Sequence, residues 1–204
     1  MLGIMRQMAF LRGDLTPKKE LEDFNFRFNK TYDVVHIEDA LQKFSSEWLI
    51  DQNRQNVVYA GRANPHAHTQ TFIVQDHSLQ WDFGTKIDTV IKDQNIFDLV
   101  SPIVKDLESI YGGTSGRVLL IKLESNKDVP EHTDKGDYLS TVKRFHIPII
   151  TNDSVYYTVN GEKINMKCGE CWEINNLKPH SVLNDSSIDR VHLLIDIFPD
   201  SVNQ

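Results

Sequence analysis

The chain has 204 residues, 40% of them hydrophobic and 25% charged, with a net charge of −7. That size suits one domain with a sizeable core, and an acidic balance with no basic stripe argues against nucleic acid or a membrane surface as a partner. No apolar run is long enough to span a bilayer, and "MLGIMRQMAFLRGD" is broken by Arg6 and Arg12, so it reads as part of a first helix rather than a secretory signal; a cytoplasmic protein is expected.

In chain order, "HIEDALQKFSSEWL" (36–49) spaces Ile37, Ala40, Leu41, Phe44, Trp48 and Leu49 as a helix face. "NVVYAG" and "TQTFIVQ" read as strands. A second helix is predicted over 95–113, with Pro102 marking a kink and a glycine stop. "GGTSG" (112–116) reads as a turn and lacks the Lys-Ser/Thr of a phosphate loop. From 117 onward the pattern is almost wholly β: 117–124, 143–150, 155–159, 162–168, 171–176, 179–184 and 189–197, separated by "TNDS", "NGE", "CGE", "NLKP" and "NDSS". These elements predict a mainly β fold with flanking helices, a jelly roll, within a single domain over 1–204. Residues 1–112 would form a mixed scaffold and 113–204 the jelly-roll core. Cys168 and Cys171, in "CGEC", have no second pair to complete a zinc site and are read as small buried thiols. Trp172 is read as core.

Alternation assigns faces. In "KRFHIPI", Arg144, His146 and Pro148 oppose Phe145, Ile147 and Ile149; in "RVHLLIDI", Arg190, His192, Leu194 and Asp196 oppose Val191, Leu193, Ile195 and Ile197. The aliphatic faces would pack on the helices. Arg and His turned toward the inside of a small barrel imply something polar bound there.

"EHTDKGDY" places His132 and Asp134 two apart at the end of an extended segment, so both point to one side. His180, in "NNLKPHSVLN", comes from a distant strand. Two imidazoles and one carboxylate on one face of Fe(II) leave positions open for cosubstrate and O2. Arg190 on the inward face of the last strand could grip the far carboxylate of 2-oxoglutarate with both arms of its guanidinium. Asn176 and Asn184 flank His180 and either orient it or shape turns. His192, beside Arg190, is read as a packing or supporting residue. Arg62 and His68, with His66 in "NPHAHTQT", are candidates for the substrate mouth.

"RFHIPI", "GECWEINNLKPHSVLN" and "DRVHLLID" resemble the aspartyl/asparaginyl β-hydroxylase family of 2-oxoglutarate-dependent oxygenases, which also includes hydroxylases of free amino acids such as proline. The resemblance covers 117–198 and implies a double-stranded β-helix. It makes His132 and His180 iron ligands and Arg190 the 2-oxoglutarate anchor, and it places Arg144 and His146 beside the cosubstrate. Animal protein-modifying members carry a Gly where this chain has Asp134, so the resemblance leans to the amino-acid hydroxylases. The expected function is therefore Fe(II)-, 2-oxoglutarate- and O2-dependent hydroxylation of a small substrate, a free amino acid or short peptide. The alternatives are a protein aspartyl/asparaginyl hydroxylase, or a cupin-like metal-binding module without oxygenase activity.

Overall fold

The computed structural model describes residues 23–43, 61, 63–77 and 89–200. In chain order the elements are β1 (Phe26–Thr31), α1 (Val35–Lys43), β2 (Thr69–His77), β3 (Thr89–Ile91), α2 (Gln94–Tyr111), β4 (Gly113–Leu123), β5 (Lys127–His132), α3 (Asp137–Thr141), β6 (Lys143–Ile150), β7 (Val155–Val159), β8 (Glu162–Ile164), β9 (Glu170–Ile174), β10 (His180–Asn184) and β11 (Arg190–Pro199). They build two sheets, ordered β1-β9-β6-β11-β4-β2-β3 and β5-β10-β7-β8. From β4 onward the chain crosses repeatedly between the two, which is jelly-roll-like connectivity. Among the described residues neither sheet closes on itself, so the expected small barrel is instead a pair of facing open sheets.

The helices cover the outer face of the larger sheet. Ile96, Val100, Ile103, Val104 and Leu107 recur at helical spacing along α2 and are buried. They meet Phe145, Ile147, Val191, Leu193, Ile195 and Ile197 in one cluster with Ile37 and Leu41 of α1. The aliphatic face read from β6 and β11 is therefore the helix-facing one. Asp93 caps α2 by accepting the Ile96 N–H at 2.8 Å. Gly112 ends it in the left-handed region (φ 55°), where its N–H bonds back to the Glu108 carbonyl. Pro102 lies inside the helix without breaking it. It has no N–H for the Asp98 carbonyl, which instead accepts the Ser101 hydroxyl at 3.2 Å.

Several expectations shift. β4 begins at Gly113, so most of the expected "GGTSG" turn is strand. β1, β5 and α3 are elements that the sequence pattern did not reveal. Cys171 is buried, but Cys168 is exposed, because it sits at the turn before β9 rather than within a strand. Trp172 packs edge-on against Phe26 and Phe28, with ring centroids 6.4 and 5.2 Å away. The expected "NVVYAG" strand and the end of the first expected helix lie outside the described residues. Among the described residues no helix is long and apolar enough to cross a membrane.

Leu193 is fully buried between the larger sheet and the helices. Leu193→Ala should cost about 2–5 kcal/mol, measured as the change in unfolding free energy from urea titration.

Candidate active site

The second buried region lies between the sheets. Leu123, Tyr157, Val159, Met166, Ile174 and Val182 fill one part of the gap. Next to them is a cavity of about 250 Å3, whose lining includes His132, Asp134, Arg144, His146, His180 and Arg190.

Strand register brings the two histidines together. His132 ends β5, His180 opens β10, and the two are direct antiparallel partners. Their rings are 4.3 Å apart between centroids. Asp134 follows two residues on, with Oδ1 3.9 Å from His132 Nε2. One ligand atom from each of the three lies within 4.8 Å of the others, close enough to share one ion. Each imidazole is also turned correctly. His132 Nδ1 is 2.8 Å from the Pro130 carbonyl, and His180 Nδ1 is 2.9 Å from the Lys178 carbonyl. A carbonyl can only accept, so each Nδ1 carries the proton and each Nε2 keeps a lone pair for a metal.

Asp134 is held as an anion. Burial alone would raise its carboxyl, but the Arg144 guanidinium, helped by the Asn176 hydrogen bond, holds it below the usual carboxylate value. Arg144 Nη1 donates to Asp134 Oδ2 at 2.6 Å, while its Nε and Nη2 donate to Asp196 at 2.8 and 2.9 Å. Asn176 also reaches Asp134, donating from Nδ2 at 3.3 Å, and the Asp134 N–H donates to the Asn176 carbonyl at 3.1 Å. Asn176 thus contacts Asp134, not His180 as its sequence position suggested. Asn184 donates to the Glu124 and Ile188 carbonyls and shapes a turn.

Arg190 differs from Arg144. It is 2% exposed, and its Nε and Nη2 have no hydrogen-bond partner among the described residues. Its guanidinium carbon lies 5.5 Å from the centre of the Tyr157 ring. His146 also lines the cavity, with Nδ1 3.3 Å from the Tyr157 hydroxyl. Arg144 lines the cavity too, with three of its N–H groups already donating to two carboxylates.

The expected mouth residues divide. His66 lines the cavity. His68 does not: its side chain is 42% exposed, with Nδ1 4.0 Å from Glu124. It lies in the turn that precedes β2. Arg62 lies outside the described residues. Two contributors had no assigned role in the sequence: Asp196 and Tyr157. Both had a usable signal, since each is a polar residue in an inward alternating set.

A mainly β fold holding a His-Asp-His site of this geometry defines a class compatible with 2-oxoglutarate-type metal chemistry. Residues 89–199 match the family model described as Aspartyl/Asparaginyl beta-hydroxylase, and the chain belongs to that family. It is 25% identical over 130 residues to the L-proline cis-4-hydroxylase of Rhizobium meliloti (strain 1021), covering 58% of this chain and 46% of that protein. The chain therefore spans less than half the length of this curated relative. The viral collagen prolyl hydroxylase vCPH from Paramecium Bursaria Chlorella virus-1, solved as its 2OG complex, shares the fold. Its TM-score is 0.56 at 8% identity, over 87% of this chain and 97% of that one. A 2OG-Fe(II) oxygenase family oxidoreductase from Burkholderia pseudomallei matches at 13% identity with a TM-score of 0.49, covering 84% of this chain and 92% of that one.

Burial first, and then nearby Arg190, hold His146 and His192 well below the ordinary histidine value of 6.5. Below about pH 6.5 the unfolded chain takes protons on these imidazoles and the native chain does not, so acid favours unfolding. Stability of the metal-free protein should fall from pH 7.5 to 5.5, each histidine contributing a slope of up to about 1.4 kcal/mol per pH unit. His192→Phe should flatten that profile, measured as urea unfolding free energies across the range.

Proposed function

We propose that the chain is an Fe(II)- and 2-oxoglutarate-dependent hydroxylase. His132, Asp134 and His180 would hold the metal, and Arg190 would anchor the cosubstrate. Arg190 is the observation that carries the reading. A buried guanidinium without a carboxylate partner is costly, and the far carboxylate of a dicarboxylate would remove that cost with a two-armed ion pair. A cupin-like metal module has no need of such a group. On this reading the facing sheets are a double-stranded β-helix.

Bound in this cavity, iron with 2-oxoglutarate and O2 supplies the chemistry that couples decarboxylation to succinate and CO2 with hydroxylation of a C–H bond. The protein's own residues prepare the ground. The Pro130 and Lys178 carbonyls fix the imidazole tautomers. Arg144 keeps Asp134 ionised and oriented. Val129, Ile174, Val182 and Leu194 give the cavity apolar walls that limit water. Tyr157 and His146 lie beside Arg190, where neutral donors can complete the grip on the cosubstrate.

Two substrate expectations compete. The family match supports hydroxylation of an aspartyl or asparaginyl residue in a polypeptide better than it supports a free amino acid. The likeness to a proline hydroxylase is limited to 25% identity over part of that protein. Succinate formation should be stimulated by Asp- or Asn-containing peptides, with a product gaining one oxygen by mass. Stimulation by free amino acids alone would reverse the assignment.

His132→Ala and His180→Ala should each abolish 2-oxoglutarate turnover in purified protein supplied with iron and ascorbate. Wild-type succinate production by either would remove the metal site from the reading. Arg190→Lys should raise the KM for 2-oxoglutarate roughly ten- to a hundredfold, because a point charge replaces a planar fork, while Mn(II) affinity stays near wild type.

A further inference from the structure

Asp134 does not lie in a strand. It belongs to the segment 133–142, which leads from the end of β5 through α3 to β6. A carboxylate on a connection is held less firmly than the two histidines, which are fixed by strand pairing. Some contact must therefore hold that segment against the sheet. Asn176 does so from one side, donating to the Leu139 carbonyl at 2.9 Å. From the other side the holding group is Tyr138.

Tyr138 reaches from α3 to the larger sheet. Its hydroxyl donates to Asp196 Oδ2 at 3.1 Å and accepts the Arg117 backbone N–H at 2.8 Å. Its ring meets Phe198 edge-on, with centroids 5.1 Å apart, and lies 4.7 Å under the Arg117 guanidinium. The sheet leaves room for it at one position. A Cβ on Gly116 would come within 2.5 Å of the Tyr138 oxygen and 2.8 Å of the Phe198 ring. Asp196, fully buried, is also the carboxylate that takes two donors of Arg144, and the third donor of Arg144 holds Asp134. A single chain of contacts thus runs Tyr138–Asp196–Arg144–Asp134. Both of its ends lie on the same short segment, so the contacts form a closed loop.

The structure assigns to Tyr138 the role of a positioning residue: by clamping the 133–142 segment to Asp196 in the space above Gly116, it sets the place and orientation of the Asp134 carboxylate. The assignment rests on the proposed metal role of Asp134. Tyr138 touches neither metal nor cosubstrate in this scheme and acts through Asp196 and Arg144. Supporting contacts around a ligand are worth roughly ten- to a hundredfold in metal affinity.

Tyr138→Phe keeps the ring and removes the oxygen. Mn(II) titration of the full chain should give a dissociation constant raised roughly tenfold or more. Its 2-oxoglutarate affinity at saturating Mn(II) should stay within about twofold, because Arg190 is untouched. A residue that only filled space would move thermal stability and both affinities together, and that pattern would overturn the assignment. Gly116→Ala, whose Cβ would strike both the Tyr138 oxygen and the Phe198 ring, should also weaken Mn(II) binding, and an unchanged Mn(II) affinity would count against the clamp. Hydrogen exchange on metal-free protein gives a reading that does not depend on the metal role. Tyr138→Phe should speed exchange in 133–142 relative to the strands, and unchanged exchange there would overturn the clamp. If the wild type binds no Mn(II), the metal role of Asp134 fails, and the exchange result alone decides whether the clamp exists.

Discussion

Arg144 is one guanidinium shared between two carboxylates, and the geometry of the site depends on it. Its Nε and Nη2 lock onto the fully buried Asp196 of β11, and its Nη1 holds Asp134. Asp196 and Arg144 are cross-strand partners in the larger sheet, so this half of the network is as rigid as the sheet itself. Asp134 lies outside the strands, and Arg144 ties it to that frame. The desolvation cost of burying three charges is offset because each group has several donors or acceptors in place. Burial acts to lower the Arg144 pKa, but Asp196 and Asp134 outweigh it and push the net value up, so the group stays cationic.

With Arg144 paired to two carboxylates, Arg190 is the buried cavity-lining arginine that has no carboxylate partner among the described residues. The two arginines face the same interior but have opposite circumstances: one has more carboxylate contact than it needs, and the other has unpartnered nitrogens in a buried position. The proposed binding of an anionic cosubstrate rests on this asymmetry. The neutral imidazoles of His146 and His192 add hydrogen-bonding capacity near Arg190 without adding positive charge.

Much of the fold could be read along the chain where alternation was clean. β6 and β7 fall at their expected limits, and β11 extends its expected run by two residues beyond its expected end. The inward and outward faces of β6 and β11 also match the buried clusters. β5 escaped because "KDVPEH" has one aliphatic residue, Val129, and a proline that is tolerated there since β5 is an edge strand. β1, "FRFNKT", alternates only weakly, and its pairing with β9 is what makes it a strand. α3 is a single short turn of helix with no sequence periodicity to detect.

The sequence by itself determined the residue types and the side of each strand on which they fall: His132 with Asp134, His180 on a later strand, and Arg190 and Asp196 on one face of β11. Those are local properties, because side chains alternate with a period of two whatever the strand pairs with. Only the tertiary structure decided which of these residues meet. Register placed His132 opposite His180, turned both Nδ1 atoms onto backbone carbonyls, paired Arg144 with Asp134 and Asp196, and left Arg190 Nε and Nη2 without a partner among the described residues. Register depends on turns, bulges and packing between distant segments. A one-dimensional pattern can therefore name the members of this site, but their pairing is fixed only when the sheets close over it.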